Sequence, residues 1–470
     1  MTDSLQTARL RLNPQTQKKM MRLTGTLGVD VIDELGCVSG ALLHADALRK
    51  TYGRSLRYDL EPTAYMKPQE TWGRMPVKLL CGDFYQLPPV PATSSLLAST
   101  TGQTYEHQQG RKLLADMEYV VDFVQMQRFN DPLQVEVLEA MRTPGGKAIS
   151  EKSWQEIVKT RLEHSDGAPD PRLKDARNWY ESVYEWRIVS YAMHANARLD
   201  AHAAGKILYY IPAVDTPATR LCKEDYDEMR AVANIGHTAK LVSVLPVWEG
   251  MEMILTESLL PPKLVRGTKC IVAGIEPHPR EPAIEHRDSV RTHGCAVLHF
   301  MPKNIYVRIP GCDETFLQEG TTGGAQSMDM DLKGMLAIKP QTRSWHFTPA
   351  ASKTGVTVSR TQIPLLPSKQ CTLHGVQGKT ADPGFIVHWS YPPALSKESR
   401  WLATYVSLSR PRSFKNLLSH GLPDRELIES GPPADIAKAF KTLFETKIAK
   451  TKIACKKARE EMNWPSRRDV

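Results

Sequence analysis

Residues 77–90 read Val-Lys-Leu-Leu-Cys-Gly-Asp-Phe-Tyr-Gln-Leu-Pro-Pro-Val. The run Val77–Cys81 is short and apolar and predicts a buried strand; Gly82-Asp83 ends it in an acidic group. Gly82 permits a tight turn, and Pro88-Pro89 stiffen the exit. Gln86 is a neutral donor and acceptor suited to sensing a phosphate. Working back along the chain, Val29-Asp30-Val31-Ile32 has the same form and runs into Asp33-Glu34. Residues Ala41 to Lys50, between the two runs, read as helix. In open α/β sheets the carboxyl ends of strands are where ligands bind. An aspartate there can hold Mg²⁺ through water, and a glutamate beside it can orient or deprotonate an attacking water. Taken alone, Asp33-Glu34 equally fits an acidic helix N-terminus.

Met117 to Arg142 predicts a strand, a turn and a helix around Val135 to Met141. Residues 143 to 180 predict loop with short helix, and Arg187 to Met193 another strand. From Leu241 to Ile309, short runs (MEMILT, KCIVAG, IYVRI) alternate with Gly and Pro turns and predict a small antiparallel β module. Residues 310 to 335 are Gly-rich and expected to be mobile; strands resume at Gly355, and Phe385-Ile386-Val387 predicts a buried one. Ala434 to Trp464 predicts a basic amphipathic helix with Ile436, Phe440, Leu443, Phe444 and Ile448 on its apolar face.

Two further segments carry chemistry. In Ser368–Asp382 (SKQCTLHGVQGKTAD), Gly378-Lys379-Thr380 imitates the end of a phosphate-binding loop. That loop, G-x-x-x-x-G-K-[ST], needs a glycine where Leu373 stands and a helix after the lysine, whereas Pro383 and a strand come next here. In Ala403–Ser413 (ATYVSLSRPRS), the expectation is a strand that presents Arg410 to a phosphate.

The chain has 470 residues, 41% hydrophobic and 24% charged, with a net charge of +9. This is the composition of a globular protein of two to four domains, with a weak basic bias compatible with nucleic acid. Eight cysteines, none in a C-x-x-C pair, argue against a disulfide scaffold. His278, His286, His293 and Cys295 lie close together, but their spacing fits no common zinc pattern. No apolar run is long enough to span a bilayer, and the polar start lacks a secretory centre.

In order, these segments resemble the superfamily 1 DNA helicases of the PIF (petite integration frequency) type. VIDELG resembles motif II, GDFYQLPPV motif III, QMQRFNDPLQVEVLEAMR motif IV, RTQIPLLPSKQCTLHGVQGKTAD motif V and TYVSLSRPRS motif VI. LPVWEGMEMILTESLLPPKLVRGTKCIVAG is similar to the opening of the family's small β-barrel. The resemblance implies an α/β fold of the P-loop NTPase class: tandem RecA-like parallel sheets, the first truncated, with a small inserted β-barrel module. It implies a first domain over 1–116, a second over 117–244 and 356–430, the module at 245–355 and a basic C-terminal helix at 431–470.

The cofactors it implies are ATP and Mg²⁺. Asp33 would hold Mg²⁺, Glu34 would activate water, and Gln86, Arg128 and Arg410 would reach the γ-phosphate. Gln377 and Gly378 would lie near the nucleotide, and Thr372, His374 and Thr380 along DNA. The implied activity is translocation on single-stranded DNA from five-prime to three-prime. Duplexes and quadruplex junctions would be unwound in replication, repair or telomere maintenance, inside the cell and in nucleus or mitochondrion if the source is eukaryotic. Oligomeric state stays open. The family's phosphate loop should precede motif II, but none of the 32 residues before Asp33 forms it. Gly375, Val376 and Gly36-Cys37 also depart from the family pattern. The chain therefore reads as a truncated copy of such a motor; the alternative is a catalytically inactive single-stranded DNA-binding relative.

Overall fold

A computed structural model describes residues 13–58, 71–98, 103–123, 125–163, 170–317, 324, 331–350 and 353–462. Of the stretch expected to be mobile (310 to 335), residues 318–323 and 325–330 lie outside them, as do the last residues of the tail.

The two apolar runs read first pair as a parallel two-stranded sheet, Val29–Ile32 with Val77–Leu80, Val29 opposite Val77 and Ile32 opposite Leu80. One face rests on helix Gly40–Tyr58, which is flanked by helices Pro14–Thr24 and Tyr105–Ala115. Ile32 and Leu80 join Leu35, Leu43, Leu96 and Leu113 in the core there. Asp30, on the same face, is paired with Lys50 and Lys78, so its charge is neutralised where it is partly buried.

A second parallel sheet has four strands in the order Gln370–Thr372, Tyr180–Val183, Phe385–His388, Leu417–His420. One face carries Phe385, Val387 and Leu417 into a large core with Val137, Met141, Trp401 and Val406. The other packs Ile386 and Leu418 on Leu162 and Ala176. The two faces of its central strand Phe385–His388 are both buried, which explains the unbroken apolar run Phe385-Ile386-Val387.

The module is mostly antiparallel, as expected, except that Cys295–Val297 pairs in parallel with Leu208–Pro212. Met335–Ile338, Asn304–Arg308, Lys269–Glu276, Glu252–Leu255 and Leu365–Pro367 form one sheet. Gln341–Phe347, Val356–Gln362 and Val214–Pro217 form another. Its strands come from both sides of residues 244/245 and 355/356, and a fully buried Arg360–Asp215 pair at 2.7 and 2.9 Å ties them. Among the described residues these ladders run as open sheets.

Three sequence expectations are corrected. Arg187–Met193 is not a strand but part of helix Trp186–Ala203, whose buried Val189, Met193, Ala197 and Ala201 recur every fourth residue. The segment ATYVSLSRPRS is not a strand either: Thr404 to Leu408 end helix Lys397–Leu408, started by Ser396 accepting from the Ser399 amide. Residues 117–123 have no ladder partner; they lie against the C-terminal helix, where the Val120 amide donates to Thr451 Oγ1 at 2.9 Å.

That C-terminal helix runs Ala434–Glu461, and its expected apolar face is the one it buries. Phe444 enters the first core, stacked on Phe84 at 5.8 Å, and Phe440 stacks on Tyr85 at 6.1 Å. No helix is long and apolar enough to cross a membrane among the described residues.

Candidate nucleotide and nucleic-acid site

The carboxyl end of the first sheet turns sharply. The Leu35 amide donates to the Cys81 carbonyl at 2.8 Å, locking the turn after Ile32 against the turn after Leu80. A Cβ on Gly36 would stand 2.5 Å from the Asp83 carbonyl, so only glycine permits this approach. Glu34 takes φ +54°, a left-handed conformation that costs on the order of 1–3 kcal/mol for a non-glycine residue and is held by its surroundings. The Glu34 amide donates to Asp33 Oδ1 at 2.8 Å. Asp33 itself is exposed.

Glu34 is where the two sheets meet. Burial raises its proton affinity first, and the Asp33 carboxylate adds to this. The Arg410 and Arg128 guanidinium groups pull it down, while Asp83 pushes it up. The net effect is a carboxyl held above its ordinary range. Gly378 sits directly against it: a Cβ there would be 2.9 Å from Glu34 Oε1, and φ is +78°. A side chain at residue 378 would therefore be both strained and obstructive.

Arg410 is fully buried at the end of helix Lys397–Leu408. It donates to the Lys379 carbonyl at 3.2 Å, the Val406 carbonyl at 3.2 Å and Ser409 Oγ at 2.8 Å. Burial pulls its guanidinium down to about 10, and the Arg128 cation adds to that; it is still charged at neutral pH. Arg128 donates to the Ser409 carbonyl at 2.9 Å, so the two arginines flank one turn. The strand expected to present Arg410 is a helix end, and the guanidinium is held there by the protein's own oxygens.

Gln377 Nε2 lies 2.7 Å from Cys37 Sγ and donates to the Leu87 carbonyl at 3.2 Å, bridging the segments after both strands of the first sheet. Burial and the Glu34 charge push the Cys37 thiol up to about 11, so it stays protonated. The side-chain carbonyls of Gln86 and Gln377 are buried without a hydrogen-bond partner, which marks both as groups with unused capacity. Gly378-Lys379-Thr380 leads into strand Phe385–His388 and no helix, as Pro383 required. Thr372 and the exposed His374 stand at the start of the short helix Leu373–Val376, and Thr380 lies just beyond Gly378.

A third set of residues was not singled out from the sequence. The Tyr405 hydroxyl donates to Asp83 Oδ2 at 2.8 Å, and Arg142 Nη1 reaches the same oxygen at 3.4 Å and the Tyr405 hydroxyl at 3.0 Å. Burial, then the Asp83 charge, raises the Tyr405 hydroxyl well above its usual range, so it remains a donor. This knot joins the turn after the first sheet to two helices that cover the second. Asp83 was visible as the acid ending an apolar run; Arg142 and Tyr405 carry no local signal.

Asp33 fits a Mg²⁺ ion. Its carboxylate is exposed, one oxygen is engaged by a backbone amide, and a second carboxylate adjoins it, a like charge that a cation relieves.

No family profile matches the sequence, and no curated protein matches it. Solved structures do. A Pif1 helicase from Candida albicans superposes with a TM-score of 0.53 at 18% identity, over 92% of this chain and 80% of that one. A Bacteroides Pif1 bound to ssDNA gives 0.50 at 15% identity over 93% and 79%. A Bacteroides Pif1 in complex with ADP-AlF3 and ssDNA gives 0.51 at 14% over 92% and 79%. The chain has the α/β fold of the Pif1 helicases.

Proposed function

We propose that this protein is an ATP-dependent DNA helicase motor of the Pif1 type, moving on single-stranded DNA from five-prime to three-prime. The observation that carries the reading is the meeting at Glu34. The end of one parallel sheet presents a carboxylate of raised proton affinity beside Asp33, and two arginines, Arg410 after helix Lys397–Leu408 and Arg128 in the loop before helix Pro132–Arg142, act on its charge. That is the charge pattern for hydrolysing a phosphoanhydride between two domains. A bound Mg²⁺ would neutralise phosphate charge, and Asp33 would hold it. Glu34 accepts the proton of the attacking water. Arg128 and Arg410 stabilise charge that develops on the γ-phosphate, and Gln86 and Gln377 offer their unpaired amide groups to nucleotide or water. Single-stranded DNA runs over the exposed end of the second sheet, past Thr372, His374 and Thr380.

Two measurements test this on the full chain. DNA-stimulated hydrolysis at millimolar ATP should fall at least about 100-fold in Glu34→Gln, since a general base contributes roughly 10²–10⁴-fold. Binding of a labelled oligonucleotide, followed by anisotropy across a salt series, should be micromolar, strongly salt-dependent and unchanged in that variant. DNA binding without hydrolysis in the wild-type chain would replace the motor by a single-stranded DNA-binding protein of the same fold. Absence of both in folded protein would sink the proposal.

A further inference from the structure

On the second sheet, away from Glu34, three good ligands for a transition-metal ion converge. Register sets their direction. Glu181 stands opposite Ile386, and His388 opposite His420. Side chains two apart on a strand share a face, so Glu181, His388 and His420 leave the same face on three adjacent strands. His388 and His420 are the last residues of theirs. One ligand atom from each lies within 4.8 Å of the others.

The details suit a metal better than a chance cluster. Glu181 is buried, an expensive place for a carboxylate unless its charge is met. Its Oε1 lies 2.8 Å from His388 Nε2, and its Oε2 accepts from Asn196 Nδ2 at 2.6 Å. Asn196 comes from helix Trp186–Ala203 and orients the carboxylate from behind, as outer partners of metal ligands do. The two imidazoles stack at 4.1 Å between centroids, 24° apart.

We propose that Glu181, His388 and His420 bind one divalent transition-metal ion, Zn²⁺ being the ion the ligand set suits, with water in the open position. Ligand bonds of about 2.0–2.2 Å in a tetrahedron put ligand atoms roughly 3.4 Å apart. The Glu181–His388 contact of 2.8 Å has to open by about 0.6 Å, and the other separations, all within 4.8 Å, have to settle at that same roughly 3.4 Å. The ion clips three of the four strands of the sheet. It is a site separate from Asp33 and independent of ATP turnover.

The test uses the full chain, stripped with a chelator and titrated with Zn²⁺ against a competing chromophoric chelator. The expected result is one equivalent bound with micromolar or tighter affinity, weakened at least tenfold in His420→Ala. That variant keeps the Glu181–His388 hydrogen bond, and its circular dichroism should match the parent. Glu181→Gln, which keeps an oxygen but removes the charge, should weaken binding as well. Zn²⁺ should raise the parent's Tm and leave that of His420→Ala unmoved, a response that a hydrogen-bonded triad without metal would not give. No tight equivalent in the parent, or an equivalent that persists in His420→Ala, overturns the site; persistence would place the ion on other ligands.

Discussion

The two parallel sheets are built from the same kind of short apolar strand, yet they are covered differently. The four-stranded sheet is buried on both faces, with Phe385 at 0% exposure. The two-stranded sheet is buried on one. On its other face Val29, Val31, Val77 and Leu79 are 42–56% exposed. Parallel sheets are normally covered on both sides, and among the described residues this face of the first sheet gains little from burial. What it supplies instead is a rigid pair of strand ends carrying Asp33, Glu34 and Asp83. The second sheet supplies packing and the positively charged answer, Arg410. Stability and acidic chemistry are thus divided between the sheets, and Tyr405 and Arg142 connect the two.

This division can be tested from its stable end. Phe385→Ala removes a fully buried ring and should cost about 3–5 kcal/mol, read as a fall in the urea midpoint at unchanged slope. A cost near ~1 kcal/mol would mean that the second sheet is not the stability centre. The connection comes next. Tyr405→Phe leaves Asp83 Oδ2 with the weaker Arg142 contact and should cost about 1–3 kcal/mol. A cycle with Asp83→Asn should show coupling of at least about 0.5 kcal/mol; additive costs would contradict the link.

The acidic end responds to pH. In the proposed hydrolysis Glu34 is a base, and a base works only when ionised. Its raised pKa therefore places the acid limb of hydrolysis above the usual carboxylate range, with activity present above that limb and lost as pH falls through it. Asp83→Asn removes a like charge and should shift the limb downward; a limb that stays put or rises would contradict the electrostatic picture. The smallest effect is expected on the bare face, where Val31→Thr should change stability by no more than about 0.5 kcal/mol. A large loss there would show that the face is covered in solution.

Much of this was legible in the residues. Val29–Ile32 and Val77–Leu80 are short, apolar and followed by acids, so both strands and the place of Asp33 and Glu34 could be read directly. The C-terminal helix was legible because Ile436, Phe440, Leu443 and Phe444 keep a helical period against lysines. Helix Lys397–Leu408 was not, since Trp401 to Leu408 are all buried and show no period at all. Part of that helix's basic charge is spent within the protein: Lys447 donates to the Met117 carbonyl at 2.8 Å, and Lys450 pairs with Glu118 at 2.8 Å. The Asp83–Arg142–Tyr405 knot joins positions 59 and 322 residues apart, a relation that no local pattern encodes.

The helix Ala434–Glu461 also imposes an order in time. Phe444 belongs to the same core as Leu43 and Leu113, and Thr451 meets Val120 across 331 residues. A ribosome delivers the beginning of that core long before its end. Until the helix emerges, Phe84 lacks the ring it stacks on, and a contact of such long range closes slowly. Chains halted before Ala434 should accordingly be cut by protease within Gly40–Tyr58. Adding the helix as a separate peptide should restore protection; equal resistance with and without it would show that the early segment completes itself.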